Sequence, residues 1–145
     1  MKKKGAFLMK KFAIYIFSAV LIIGAAFGLT EYLSGTTYVL GAGSTIFVDF
    51  EKVSEGETER IYLTQEEEEE LKLILLEAER KNKKIKFAPL AQEDIKYYIH
   101  LTNEKQGQLF ITLGNVNVVY RNSEKGGFEI VDPEGIIAKI DALLA

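Results

Sequence analysis

This 145-residue sequence predicts an α+β protein: an N-terminal transmembrane helix, then an antiparallel β-meander sheet with two amphipathic helices packed on one face. Three observations predict it. A 19-residue run without a formal charge follows a block of lysines. Two later segments carry apolar residues at helical spacing behind capping residues. Between and before those segments, apolar residues recur with period two and are broken by turn residues.

The uncharged run, Phe12–Thr30 (FAIYIFSAVLIIGAAFGLT), spans about 28 Å as a helix, close to the ~30 Å thickness of a hydrocarbon core. Lys2, Lys3, Lys4, Lys10 and Lys11 precede it and Glu31 follows. The positive-inside rule therefore keeps the basic segment, residues 1–11, in the cytoplasm and sends the rest of the chain across. Met9 offers a second start ahead of Lys10 and Lys11. Two readings share this topology. Residues 12–30 are an uncleaved single-pass anchor in the cell membrane, or a signal peptide cleaved after Gly28 in Ala26-Phe27-Gly28, giving a secreted domain.

Residues 31–44 read as a linker rich in Gly, Ser and Thr, with a short strand at Tyr38–Leu40. An extracytoplasmic domain is expected over 45–145. Thr45–Val53 alternates, with Ile46, Val48 and Phe50 on one face and Phe47, Asp49 and Glu51 on the other. A turn at Ser54–Glu57 leads to a returning strand at Glu59–Leu63. Thr64 with Glu67 forms a capping box, and Leu71, Ile74, Leu75 and Ala78 fall on one helix face. Glu66–Glu70 in the first turns, and Arg80, Lys81, Lys83 and Lys84 at the end, complement the macrodipole of a helix from Gln65 to about Lys81.

Then the period changes to two. Ile85–Phe87 is a short strand ended by Pro89. Ile95, Tyr97, Ile99 and Leu101 line one face of the next strand, with Lys96, Tyr98 and His100 opposite. Leu109, Ile111 and Leu113 continue the apolar face. Gly114-Asn115 is a two-residue hairpin signal from which Val116, Val118 and Tyr120 return. After a turn at Asn122–Gly127, Phe128–Val131 is the last strand. Asp132 caps a final helix with Pro133 in its first position and a stripe of Ile136, Ile137, Ile140, Leu143 and Leu144. Beyond the membrane segment the expected order is two strands, a helix, four or five strands, and a helix.

Charge and composition exclude several functions. The net charge is −3, but residues 35–145 hold 13 cations and 20 acids, a charge of −7. Nucleic-acid binding rests on neutralising phosphates with Lys and Arg, so no nucleic-acid partner is expected. With no cysteine, disulfides, thiolate metal sites and a lipidated cysteine are out. The acidic run Glu66–Glu70 points around its helix in ~100° steps and cannot converge on one ion. Gly41-Ala42-Gly43-Ser44 lacks the lysine and following helix of a phosphate loop. Ser44 and Ser123 lack the strand–turn–helix setting of a hydrolase nucleophile. His100, the only histidine, carries no motif. We expect no enzyme, no cofactor, no metal and no small-molecule substrate.

Tyr97, Tyr98, Phe110, Tyr120 and Phe128 collect in the sheet. If the hairpin registers hold, Tyr98, His100, Phe110 and Thr112 share its second face, either as a partner-binding surface or as further packing. Leu63-Thr64-Gln65 opening an amphipathic helix, followed by the period-two meander, resembles the small membrane- or lipid-anchored envelope proteins of low-GC Gram-positive bacteria. The YhfM-like domain is one example that it resembles. The resemblance covers residues 45–131 in element order and composition, and the lipid-attachment cysteine is missing. It implies an envelope location and a non-enzymatic role. The expected function is an extracytoplasmic accessory or protein-binding module held by residues 12–30. The alternatives are an inhibitor or immunity-type protein that caps a basic partner, and a small envelope enzyme.

Overall fold

The computed structural model describes residues 2–87, 90–121 and 126–145, without the side chains of residues 2–9, 12, 27, 30 and 31. Pro89 and the turn at 122–125, with Ser123, lie outside the described residues. The chain divides into two compact units, Met1–Gly35 and Thr36–Ala145.

The first unit is one helix, α1 (Lys2–Ser34), which runs past both ends of the uncharged segment. Apolar side chains on all its sides are exposed, among them Ile14, Phe17, Ile22 and Ile23. Among the described residues no helix is long and apolar enough to cross a membrane. The segment expected to be transmembrane is helical throughout.

The second unit is α+β. Among the described residues it has eight strands: β1 (Thr36–Tyr38), β2 (Thr45–Ser54), β3 (Glu57–Arg60), β4 (Glu79–Ile85), β5 (Ile95–Asn103), β6 (Gly107–Gly114), β7 (Val118–Tyr120) and β8 (Gly127–Ile130). They form one sheet in the order β1-β4-β8-β7-β6-β5-β2-β3, every neighbour antiparallel. β5 to β8 are the expected meander. The helices are α2 (Gln65–Glu77) and α3 (Pro133–Leu144), with a 3-10 turn at Gln92–Asp94. Both α-helices bury their stripes on the face that carries Tyr97, Ile99, Leu101, Leu109, Ile111 and Leu113.

Both capping signals operate. The Thr64 N–H donates to Glu67 Oε1 at 3.0 Å and the Glu67 N–H to Thr64 Oγ1 at 3.2 Å. Asp132, left-handed at φ 48°, accepts from the Gly135 N–H. A Cβ at Gly135 would crowd the Asp132 carboxylate, which would have to shift to keep that cap.

Four local expectations are corrected. Helix α2 stops at Glu77, where its buried stripe ends, and the lysine-rich stretch placed in its last turns is strand β4. Backbone bonds on both sides draw it out: the Val39 N–H donates to the Ala78 carbonyl and the Val131 N–H to that of Glu79, each at 2.9 Å. The short strand expected at Ile85–Phe87 is only the end of β4. In the β2 hairpin the return strand begins at Glu57 and ends at Arg60, before the apolar Ile61. Within β2 a bulge at Val48 places Phe47 and Phe50 opposite Leu101 and Ile99, on the core side, and leaves Ile46 and Val48 exposed.

Of the stretch read as a linker, residues 31–34 continue α1 and 36–44 belong to the second unit. Its strand lies at Thr36–Tyr38, and Val39 and Leu40 are buried. The β5–β6 turn clasps the chain between β1 and β2. Asn103, itself buried, donates from Nδ2 to the Gly41 carbonyl and Thr45 Oγ1, and its Oδ1 accepts from the Lys105 and Gln106 N–H groups. Gln106 bonds the Val39 carbonyl and the Gly41 N–H, while Glu104 accepts from the Ser44 N–H. Side chains here satisfy backbone groups that a strand would otherwise pair.

One charge cluster ties α3 to β5. The Tyr97 hydroxyl donates to Asp141 Oδ1, and Lys96 Nζ lies 2.9 Å from Asp141 Oδ2. The hydroxyl bond, then the lysine, holds the Asp141 carboxyl below its ordinary value of 3.8. Its stabilisation is complete above that value and is lost as pH falls through the lowered one. Asp141→Asn keeps an acceptor for Tyr97 and removes the charge. Because the group is 43% exposed, we expect a loss of only about 0.5–1 kcal/mol at neutral pH. Thermal unfolding at neutral pH should separate variant and parent, and the two should converge as pH falls through the lowered value.

Candidate partner-binding face

The side of the sheet facing away from α2 and α3 carries the candidate residues. On β5, Tyr98 and His100 alternate with core residues Tyr97, Ile99 and Leu101, so they point outward by the period of a strand. The β5–β6 register sets Tyr98 opposite Thr112 and His100 opposite Phe110. All four candidates therefore share one face.

They are not equivalent there. Thr112 is fully buried, and its hydroxyl donates to the Val116 carbonyl at 3.3 Å. It is thereby removed from the candidate surface, held under the loop at Val116. Tyr98, His100 and Phe110 are half-buried. The imidazole stacks on the Phe110 ring at 4.4 Å and 14°, and Tyr98 stands 6.5 Å from the same ring.

Tyr120 extends the row, stacked on Phe110 at 5.4 Å and 16°, and Phe87, just past β4, meets Tyr120 at 5.3 Å. The two-residue turn expected at Gly114-Asn115 would have put Tyr120 on the core side with Val116 and Val118. The chain instead turns through 115–117. Asn117 imitates a strand partner there, with its Oδ1 accepting from the Gly114 N–H at 2.8 Å and its Nδ2 donating to the Gly114 carbonyl at 2.9 Å. The Asn115 and Val116 N–H groups both donate to the Asp94 carbonyl. Pairing resumes with Val118 opposite Thr112 and Val119 opposite Ile111. This one-residue slip turns β7 over, burying Val119 in the core and sending Tyr120 out. The Asn117 side chain was the signal that could have shown it. Of the other aromatics, Tyr97 is in the core, and Phe128, opposite core residue Val119 in the β7–β8 ladder, packs against that core.

An acidic edge borders the row. Asp49 pairs with His100 and Glu51 with Tyr98 across the β2–β5 ladder. Arg60 Nε lies 3.4 Å from Asp49 Oδ1 without making a hydrogen bond, and Arg60 Nη2 donates to the Val48 carbonyl. Burial first, and then the Asp49 charge, push the Glu51 carboxyl up. Tyr98 is pushed up to about 12, chiefly by burial and then by Tyr120, Asp49 and Glu51, so its phenol stays protonated and remains a donor.

His100 Nε2 lies 3.3 Å from Gln108 Oε1, and Asp49 stands opposite His100 across the β2–β5 ladder. Among the described residues no group of three or more His, Asp or Glu could hold a metal ion. No protein-family model, no curated protein and no solved structure matches this chain.

Proposed function

We propose that this protein is a membrane-held, extracytoplasmic protein-binding module. In this reading residues 12–30 are the anchor, and the aromatic row on the outer sheet face docks a partner with a basic surface. The observation that carries the reading is the stacked row His100–Phe110–Tyr120, left half-exposed beside the Asp49–Glu51 edge. Aromatic side chains commonly dominate binding energy, and an acidic rim on a unit of charge −7 favours a cationic partner. Support for the anchor comes from the lysine block, the uncharged run, its helical state, and apolar side chains that find no cover. The resemblance to small envelope proteins agrees with that location.

A membrane-impermeant, amine-reactive crosslinker applied to intact cells tests both halves together. We expect it to capture a specific protein through exposed lysines such as Lys83 and Lys105. Phe110→Ala should weaken capture about tenfold or more, and His100→Ala by less. Modification only after lysis would overturn the location. Equal capture by the Phe110→Ala variant would overturn the binding face. Loss of biological activity on His100→Ala, with capture and folding intact, would point instead to acid–base chemistry. The acidic rim also favours a second reading, an inhibitor or immunity-type protein. It is distinguished by the captured partner losing an enzymatic or toxic activity when bound.

A further inference from the structure

We infer that the uncovered end of the core face of the sheet is a binding site for a small amphiphilic anion, a carboxylate or phosphate head on an apolar body. The helices cover only part of that face. Beyond them lies a hollow of about 480 Å³, lined by no residue of α2 or α3. Its size is within the ~300–1,000 Å³ usual for small-molecule sites.

The floor is Leu109, Val119 and Phe128, all part of or packed against the core. Arg80, Lys84 and Arg121 stand around it, and no carboxylate is among its described lining residues. The cations converge because of the sheet. β4 sets Lys84 opposite Phe128 in the β4–β8 ladder, and the Arg80 guanidinium lies 3.9 Å above the Phe128 ring. Arg121 comes directly after β7. The wall at the β5–β6 turn is fixed, because Gln106 is bonded to Val39 and Gly41.

Positive groups around an apolar floor attract an anion more strongly than the same groups in open water, since the low-dielectric wall focuses their field. An apolar body gains by covering Leu109, Val119 and Phe128. The competing account is that the cations only shield apolar surface with their stems. That account predicts no preference for a molecule with both parts. Tyr120 of the aromatic row also reaches the rim of the hollow, so the variants that test the site are chosen among its cations and leave that row unchanged.

The test uses the full chain in an uncharged detergent, with phenyl phosphate titrated calorimetrically. Binding below ~1 mM is expected. Inorganic phosphate, lacking the ring, should bind about tenfold more weakly or worse, and benzyl alcohol, lacking the charge, should not compete. Lys84→Ala and Arg121→Ala, both at exposed positions that should leave folding intact, should each weaken binding about tenfold. Lys83→Ala removes the same charge from the same strand outside the hollow and should change nothing. The site is refuted by no binding of phenyl phosphate, by inorganic phosphate binding as tightly, or by Lys83→Ala acting like Lys84→Ala. Given binding, a fatty acid or lipid phosphate in an organic extract of the purified protein identifies a membrane source. A water-soluble acid released on denaturation identifies a free one.

Discussion

Asn103→Ala is expected to remove roughly 3–5 kcal/mol of stability. Asn103 is only 1% exposed, and its amide serves four partners: the Gly41 carbonyl, the Thr45 hydroxyl, and the Lys105 and Gln106 N–H groups. Each buried polar group left without a partner costs ~1–3 kcal/mol, reduced where water reaches it. Against a typical total of ~5–15 kcal/mol this is severe. Urea unfolding of the full chain followed by circular dichroism measures it. Hydrogen exchange should also quicken at Gly41 and Ser44, whose N–H groups bond Gln106 and Glu104 of the same turn. Asn103→Asp keeps the acceptor for Lys105 and Gln106 but turns an oxygen toward the Gly41 carbonyl, so it should be no better tolerated. A loss under ~1 kcal/mol would mean that the turn merely covers residues 39–45 without holding them.

That clasp marks where sequence reading stops. Helices α2 and α3 and strands β5 and β6 were legible because their signals are local: caps three residues apart, and apolar residues at spacing 3.6 or 2. β4 was not. Its residues, ERKNKKI, offer one apolar side chain, at Ile85, and its buried residue is Asn82. Its strand state comes from partners more than 40 residues away in β1 and β8, and strand preference yields readily to such context. Once β4 is a strand, the macrodipole argument for its lysines lapses, and those cations are left to the sheet.

The candidate face was legible to the same depth. Period two placed Tyr98, His100 and Phe110 correctly relative to one another. Two single-residue events then decided the remainder. The Val48 bulge exchanged which β2 side chains meet the core, and the Asn117-braced loop slipped β7 by one and brought Tyr120 into the row. Thr112 failed for a different reason: facing outward in a sheet does not mean reaching water when a loop folds back over it. Register and cover depend on side-chain bonds between distant segments, and alternation alone does not encode them.

On α2, two leucines two positions apart should differ sharply. Leu75→Ala is expected to cost ~2–5 kcal/mol, and Leu73→Ala within about 0.5 kcal/mol. The substitution is the same, so intrinsic helix propensity, which favours Ala slightly in both, cancels. What differs is burial. Leu75 is 1% exposed and packs with Leu71 in the core beneath α2, whereas Leu73 is 61% exposed. Removing the Leu75 methyl groups forfeits their transfer from water and leaves a cavity that close-packed neighbours fill only in part. Removing those of Leu73 loses little that water had not already touched. Glu68→Gln, in the solvated first turns, belongs with Leu73 at about 0.5 kcal/mol or less. Paired urea titrations of the three variants give the differences directly from their midpoints if the slopes agree. Equal losses at Leu73 and Leu75 would show that the apolar face of α2 is broader than its packing implies. A large loss at Leu73 alone would mean that this exposed side is covered by a partner, or by a second copy of the chain, under the conditions of measurement.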